Sequence, residues 1–95
     1  MTNAILIDPK DNVATVTEPA VCSAEVLCRC GELSIAVTAL SAIPRYHKIA
    51  VRFLSRGEPV LKYGEVIGYA REDIPAGGYV HTHNVSDSSE EVAVS

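Results

Sequence analysis

Punctuation is what most constrains this chain. Turn signals built on Gly, Pro, Asp and Ser recur along it, as in "DPKDN" (8–12), "SRGE" (55–58) and "DIPAGG" (73–78). They fall roughly every eight to twelve residues, the spacing of a compact all-β domain. Between them lie short apolar or alternating runs: "AILI" (4–7), "VATVT" (13–17), "EVLCRC" (25–30), "LSIAV" (33–37), "HKIAVRFL" (47–54), "VLKY" (60–63), "EVIG" (65–68) and "YVHTHNV" (79–85). A strand places alternate side chains on opposite faces. That period sets Val26, Cys28 and Cys30 against Glu25, Leu27 and Arg29, and aligns Leu33, Ile35 and Val37. It also turns Ile49, Val51 and Phe53 inward, with Lys48, Ala50 and Arg52 outward. The predicted core contains Ile35, Val37, Ile49, Val51, Phe53, Val60 and Ile67. "SAEVLCR" could form one or two helical turns capped by Ser23, but its alternation from Glu25 to Cys30 favours a strand. No helix longer than about three turns is expected.

Ninety-five residues give one small domain, with room for a core but not for a core plus an enclosed catalytic cavity. Aromatic residues make up only 5% and Trp is absent, so the 47% apolar content must pack mainly as Val, Ile, Leu and Ala. The expected domain is 1–85. The final "SDSSEEVAVS" (86–95), Ser-rich and acidic with little to bury, reads as a flexible tail. A net charge of −4 argues against nucleic acid or an anionic membrane as the main partner. The opening "MTNAILIDPKDN" lacks the basic segment and long apolar run of a signal peptide, and "LSIAVTALSAI" is too short to span a bilayer. A cytoplasmic chain follows, with Cys22, Cys28 and Cys30 as reduced thiols. Buried cysteine packs as a small apolar residue, which explains Cys28 and Cys30 better than a soft-metal site.

The chemistry concentrates in "YVHTHNVSD" (79–87), where His81 and His83 lie two apart with Asn84 next. On a strand they would share a face and could hold one divalent metal, or divide metal binding from proton transfer. Catalytic zinc commonly takes three protein ligands, so the pair alone is incomplete, and two surface or hydrogen-bonded histidines remain the alternative. Lys62 and Tyr63 stand beside a glycine turn, where the ammonium is presented to an anion or merely solvates an edge strand. A short echo joins "AIPRYHKIAV" (42–51) to "DIPAGGYVHT" (73–82), each carrying Ile-Pro ahead of a histidine-bearing strand. It is too short to establish a duplication.

Taken together and in order, these segments resemble the N-terminal domain of the altronate and galactarate dehydratase family. The match runs through Ile43, Pro44, His47, Lys48, Ile49, Ala50, Gly57, Glu58, Lys62, Tyr63, Gly64, Ile67, Gly68, Ile74, Gly77, Val80, His81, His83 and Asn84, with an upstream Asp-Asn-Val-Ala motif at Asp11 to Ala14. Residues 18–42, including the cysteines, depart from the family pattern. The resemblance implies a SAF-type β-clip fold, either fused to a larger catalytic domain or made as a separate small subunit, as in sugar-acid dehydratases and sulfolactate sulfo-lyase. A free-standing small subunit is expected here. The implied chemistry is β-elimination from a hydroxy acid with a divalent metal, often iron, in the complex. His81, His83 and Lys62 are the expected catalytic residues; His47, Lys48, Tyr63 and Asn84 the substrate contacts; His81 and His83 the metal ligands. The implied partners are a larger dehydratase subunit and a hydroxy-acid substrate, with a homo-oligomer also open. A binding or assembly module without chemistry, docking protein or carbohydrate, is the alternative in a different class.

Overall fold

One turn, used four times, builds most of this domain. In a computed structural model describing residues 2–94, each copy starts with a buried apolar residue: Ala20, Ile43, Leu54 or Ile74. A tight turn follows, closed by a backbone bond from Ala24, His47, Glu58 or Gly78 back to Val21, Pro44, Ser55 or Pro75. The third residue of every turn has positive φ: Ser23 (73°), Tyr46 (67°), Gly57 (89°) and Gly77 (89°). This is the type II pattern, which normally selects glycine. That same residue donates its N–H to a strand end, the carbonyl of Ala39, Val16, Ala70 or Ala50, each at 2.8 Å. The copies pair two by two, through antiparallel bridges Ala20↔Ile43 and Leu54↔Ile74. The Ile-Pro echo in the sequence is therefore two of four structural repeats.

The strands run between these turns. They are β1 (Thr2–Ile5), β2 (Val13–Val16), β3 (Glu25–Cys30), β4 (Leu33–Thr38), β5 (Lys48–Ala50), β6 (Pro59–Lys62), β7 (Glu65–Ala70), β8 (Tyr79–Val80) and β9 (Val85–Ser86), followed by a short helix α1 (Ser89–Val94). A six-stranded sheet has the order β4-β3-β1-β2-β5-β8, and a three-stranded sheet the order β6-β7-β9. All pairings are antiparallel except β1 with β3. The result is a curled, mostly β domain, as the turn spacing predicts, and of the β-clip type that the family resemblance implies.

Two apolar clusters hold it together. Ala4, Leu6, Ala14, Val16, Val26, Cys28, Ile43 and Ile49 belong to one; Val13, Ala50, Leu54, Val60, Ala70, Ile74 and Val80 form the other. Strands β2 and β5 lie between the two, so neighbouring residues Val13 and Ala14, or Ile49 and Ala50, are both buried, facing different cores. This corrects the outward placement of Ala50. Phe53 is also corrected: β5 stops at Ala50, the chain bends at Val51 and Arg52, and Phe53 is 52% exposed. Ile35 (40% exposed) sits on the edge strand β4, and Ile67 (41%) on the outer half of the β6–β7 hairpin, where no second layer covers them. Ile49, Val51 and Val60 are buried as predicted, and Val37 is half-buried against the first core.

Asp11 and Asn12 tie the hairpin to the body. The Asn12 side chain donates to the Pro59 carbonyl (2.9 Å) and accepts from the Leu61 amide (2.8 Å). It thereby fills the gap where the β6–β7 register slips between Val60 and Leu61. The Asp11 carboxylate accepts from the Tyr63 and Gly64 amides at the hairpin tip. Both residues are buried, and their polar atoms find partners, as buried polar groups must.

Residues expected as an acidic tail with little to bury instead supply β9 and α1, with Val92 buried and the helix packed on β7 and β9. Met1 and Ser95 lie outside the described residues. The three cysteines are free thiols. Cys28 packs in the first core, where burial pushes its thiol up to about 11. Cys22 is exposed, and its thiol donates to the Leu40 carbonyl.

Candidate functional site

The register of β5 on β8 assembles the site. Lys48 lies opposite Val80 and Ile49 opposite Tyr79. One further step in that antiparallel register brings His47, from the second turn, opposite His81. Directly opposed residues approach closely enough for side-chain contact. The two imidazoles stack with centroids 4.4 Å apart and planes 24° apart. Tyr79, two residues before His81, joins them: its hydroxyl lies 2.6 Å from His47 Nδ1, and its ring is 5.7 Å from the His81 ring and nearly parallel. Tyr79 was not among the predicted site residues. Strand alternation from His81 back to Tyr79 was the signal for it.

His81 does not continue the strand. After Val80 the chain turns, and Asn84 holds that turn. Its Oδ1 accepts from the His81 amide (2.9 Å), its Nδ2 donates to the Tyr79 carbonyl (2.8 Å), and its own amide donates to the His81 carbonyl (3.1 Å). Asn84 is thus a buried brace, and it also lines a hollow with Tyr79 and His83. The turn also separates the two histidines. His81 lines a hollow of about 200 Å³ with Lys48, Ile67, Thr82, Val85 and Asp87. His83 is exposed and lines another, of about 250 Å³, near Glu72 and Asp73. The strand face predicted for "HTH" is replaced by a turn whose two histidines line different hollows, with the Tyr79 ring in contact with both.

Lys48 and two further histidines surround His81, and among the described residues Asp87 is the one carboxylate lining its hollow. Loss of solvent around its ring, then His47, Lys48 and His83, hold it below the ordinary histidine value of 6.5. Lys48 is likewise held below its usual value, first by burial and then by Lys62. Lys62, at the end of β6, lines a different hollow with Tyr63 at the hairpin tip, so its charge reaches Lys48 without Lys62 bordering the His81 hollow. Neutral imidazole next to the Lys48 ammonium can accept a proton from an anion that the ammonium holds.

A metal centre made by this chain alone does not fit these residues. Among the described residues no three His, Cys, Asp or Glu side chains converge as a ligand set. Imidazole lone pairs lie in the ring plane, so the stacked His47 and His81 aim theirs along roughly parallel planes instead of at one ion.

Comparison with known proteins now adds a family. The model of the altronate/galactarate dehydratase SAF domain matches residues 2–88. The chain belongs to that family. Within it, the (2R)-sulfolactate sulfo-lyase subunit alpha of Paracoccus pantotrophus is 48% identical over 48 residues, which is 50% of this chain and 72% of that subunit. The altronate dehydratase of Escherichia coli (strain K12) is 48% identical over 48 residues, half of this chain but 10% of that enzyme. The altronate dehydratase of Bacillus subtilis (strain 168) is 36% identical over 50 residues, again 10% of its length. The relatives of this SAF domain are thus dehydratases and a lyase subunit. No helix among its described residues is long and apolar enough to cross a membrane.

Proposed function

We propose that this SAF domain is the small, non-autonomous part of a sugar-acid dehydratase or related lyase, supplying one wall of the site at which a hydroxy carboxylate undergoes β-elimination. The observation that carries this reading is the His47–His81 stack, braced by Tyr79 and set beside Lys48. The hollows around it are small and open, and reactions that build charge need a site closed to water. A larger subunit provides the opposite wall.

Within that site Lys48 holds the substrate carboxylate and offsets the enolate-like charge that develops as the α-proton leaves. His81, held neutral near pH 7, is placed to take or return a proton. The hydroxyl, or sulfite in a sulfo-lyase, departs from the β-carbon as the double bond forms. A divalent metal, iron by family resemblance, belongs to the assembled enzyme, and no step here is routed through it. His83 borders the site without sharing the His81 hollow.

Reconstitution tests the reading. The purified chain, mixed with a large dehydratase-family subunit supplied in trans, should turn over one member of a panel of altronate, galactarate and sulfolactate. Neither component alone should do so. Turnover by the isolated chain would overturn the shared-wall assignment, and an unchanged rate on adding it would favour a binding module without chemistry.

A further inference from the structure

Beside the histidine cluster lies a second hollow, of about 170 Å³, lined by Ile5, Ile7, Thr15, Tyr46, Lys62 and Tyr63. Its two tyrosines are the most unusual residues of the fold. Both have positive φ, 67° at Tyr46 and 57° at Tyr63, in the left-handed region that resists a side chain. At the position of Tyr46, two of the three sister turns carry glycine, Gly57 and Gly77. At Tyr63, the first central residue of a two-residue hairpin turn, Asn, Asp or Gly is the ordinary choice. Neither side chain repays its strained backbone by packing inside: Tyr46 is 68% and Tyr63 59% exposed. Ile5 and Ile7 are also exposed, pointing away from the core that holds Ala4 and Leu6.

Charge specifies what fits there. Arg45 stands over the Tyr46 ring (5.7 Å) and Lys62 over the Tyr63 ring (5.1 Å). No carboxylate lines the hollow, although the chain carries a net charge of −4. The hollow also adjoins the histidine site, because Thr15 pairs with Lys48 and Lys62 acts electrostatically on Lys48.

We infer that the Tyr46–Tyr63 hollow is the seat for the larger catalytic subunit, and that the segment seated there presents an aliphatic side chain flanked by carboxylates. This rests on the reading of the chain as one wall of a shared site. Apolar contact between the tyrosines gives the hold, and Arg45 and Lys62 meet the carboxylates at its rim. Exposed aromatic anchors with cationic neighbours are the usual centres of such interfaces. A protein seated here would close the side of the site that runs past Lys48.

Calorimetric titration of the chain into a large dehydratase-family subunit tests it, with Tyr46→Gly, Tyr63→Asn, their double variant and Arg45→Glu. Tyr46→Gly and Tyr63→Asn suit the left-handed backbone better than tyrosine, so the isolated variants should melt no lower than the parent. Each should nevertheless weaken Kd about tenfold or more, and Arg45→Glu should remove most of its salt dependence. A double variant that binds within about twofold of the parent overturns the inference while leaving the shared-site reading intact. Failure of the parent chain to bind any such subunit overturns both. If the substitutions instead dissolve a dimer of the chain in sedimentation, the hollow joins two copies and the inference is wrong.

Discussion

Asp11 and Tyr63, 52 residues apart, are joined by a hydrogen bond of 2.9 Å from the Tyr63 amide to the Asp11 carboxylate, whose other oxygen accepts from Gly64 at 2.8 Å. One buried side chain thus fixes the tip of the β6–β7 hairpin, and with it the direction in which Lys62 leaves the sheet. Asp11→Ala should lower stability by about 2–3 kcal/mol, because three amides, those of Asp8, Tyr63 and Gly64, lose a charged acceptor. Urea unfolding measures the loss, and faster hydrogen exchange confined to Tyr63 and Gly64 would assign it to the hairpin.

Gly57 and Gly77 occupy equivalent turns at the same φ of 89°, yet their surroundings differ. A Cβ on Gly77 would lie 1.9 Å from the Thr38 carbonyl oxygen, whereas a Cβ on Gly57 meets nothing within 4 Å. Gly57→Ala should therefore cost only the backbone term, about 1 kcal/mol. Gly77→Ala should cost about 3 kcal/mol, since the backbone there must also move. Equal losses in thermal unfolding would show that the turns are not packed as described.

Asn84 and His83 are neighbours with opposite roles. Asn84→Ala removes the brace of the 81–84 turn and leaves buried backbone groups without partners, a cost of about 2–3 kcal/mol. His83→Ala, at an exposed position, should stay within about 0.5 kcal/mol. If His83→Ala unfolds the chain, the turn is built differently.

His81 should remain neutral at a pH where an ordinary histidine is half protonated. Its folded value lies below the unfolded 6.5, so between the two the unfolded chain binds more protons. Stability then falls as pH drops through about 6.5 toward the folded value, and the slope from this group fades out by about pH 8. Lys48→Met should raise the His81 value only in part, since burial is the larger cause. Imidazole proton shifts followed by NMR measure both; an unshifted His81 would remove the crowding deduced from the stack.

Much of this was legible in the residues, and what was not has identifiable causes. Alternation placed Val26, Cys28 and Ile49 inward because each of their strands has a single register. It failed at Ala50, where β5 is covered on both faces, and at Phe53, where a bend ends the strand. The Ile-Pro echo showed only two of the four turns. Ala20 and Leu54 replace the Ile of that signature, and Ser23 and Tyr46 stand where glycine would have marked the repeat. "HTH" read as a strand face because nothing in its spacing shows that the Asn84 side chain bonds backward to residues 79 and 81. His47 and Lys48 reach His81 only through the β5–β8 pairing, a contact no local pattern encodes.

On the proposed reading His81 works in chemistry shared with a larger subunit and is not needed to hold the fold. The most direct measurement is turnover by the reconstituted complex with His81→Ala, alongside the variant's Kd for the large subunit and its own melting temperature. The rate should be lower by about a hundredfold or more, with affinity and melting close to those of the parent chain. Full activity with His81→Ala, or a loss explained entirely by unfolding or weaker assembly, would contradict it.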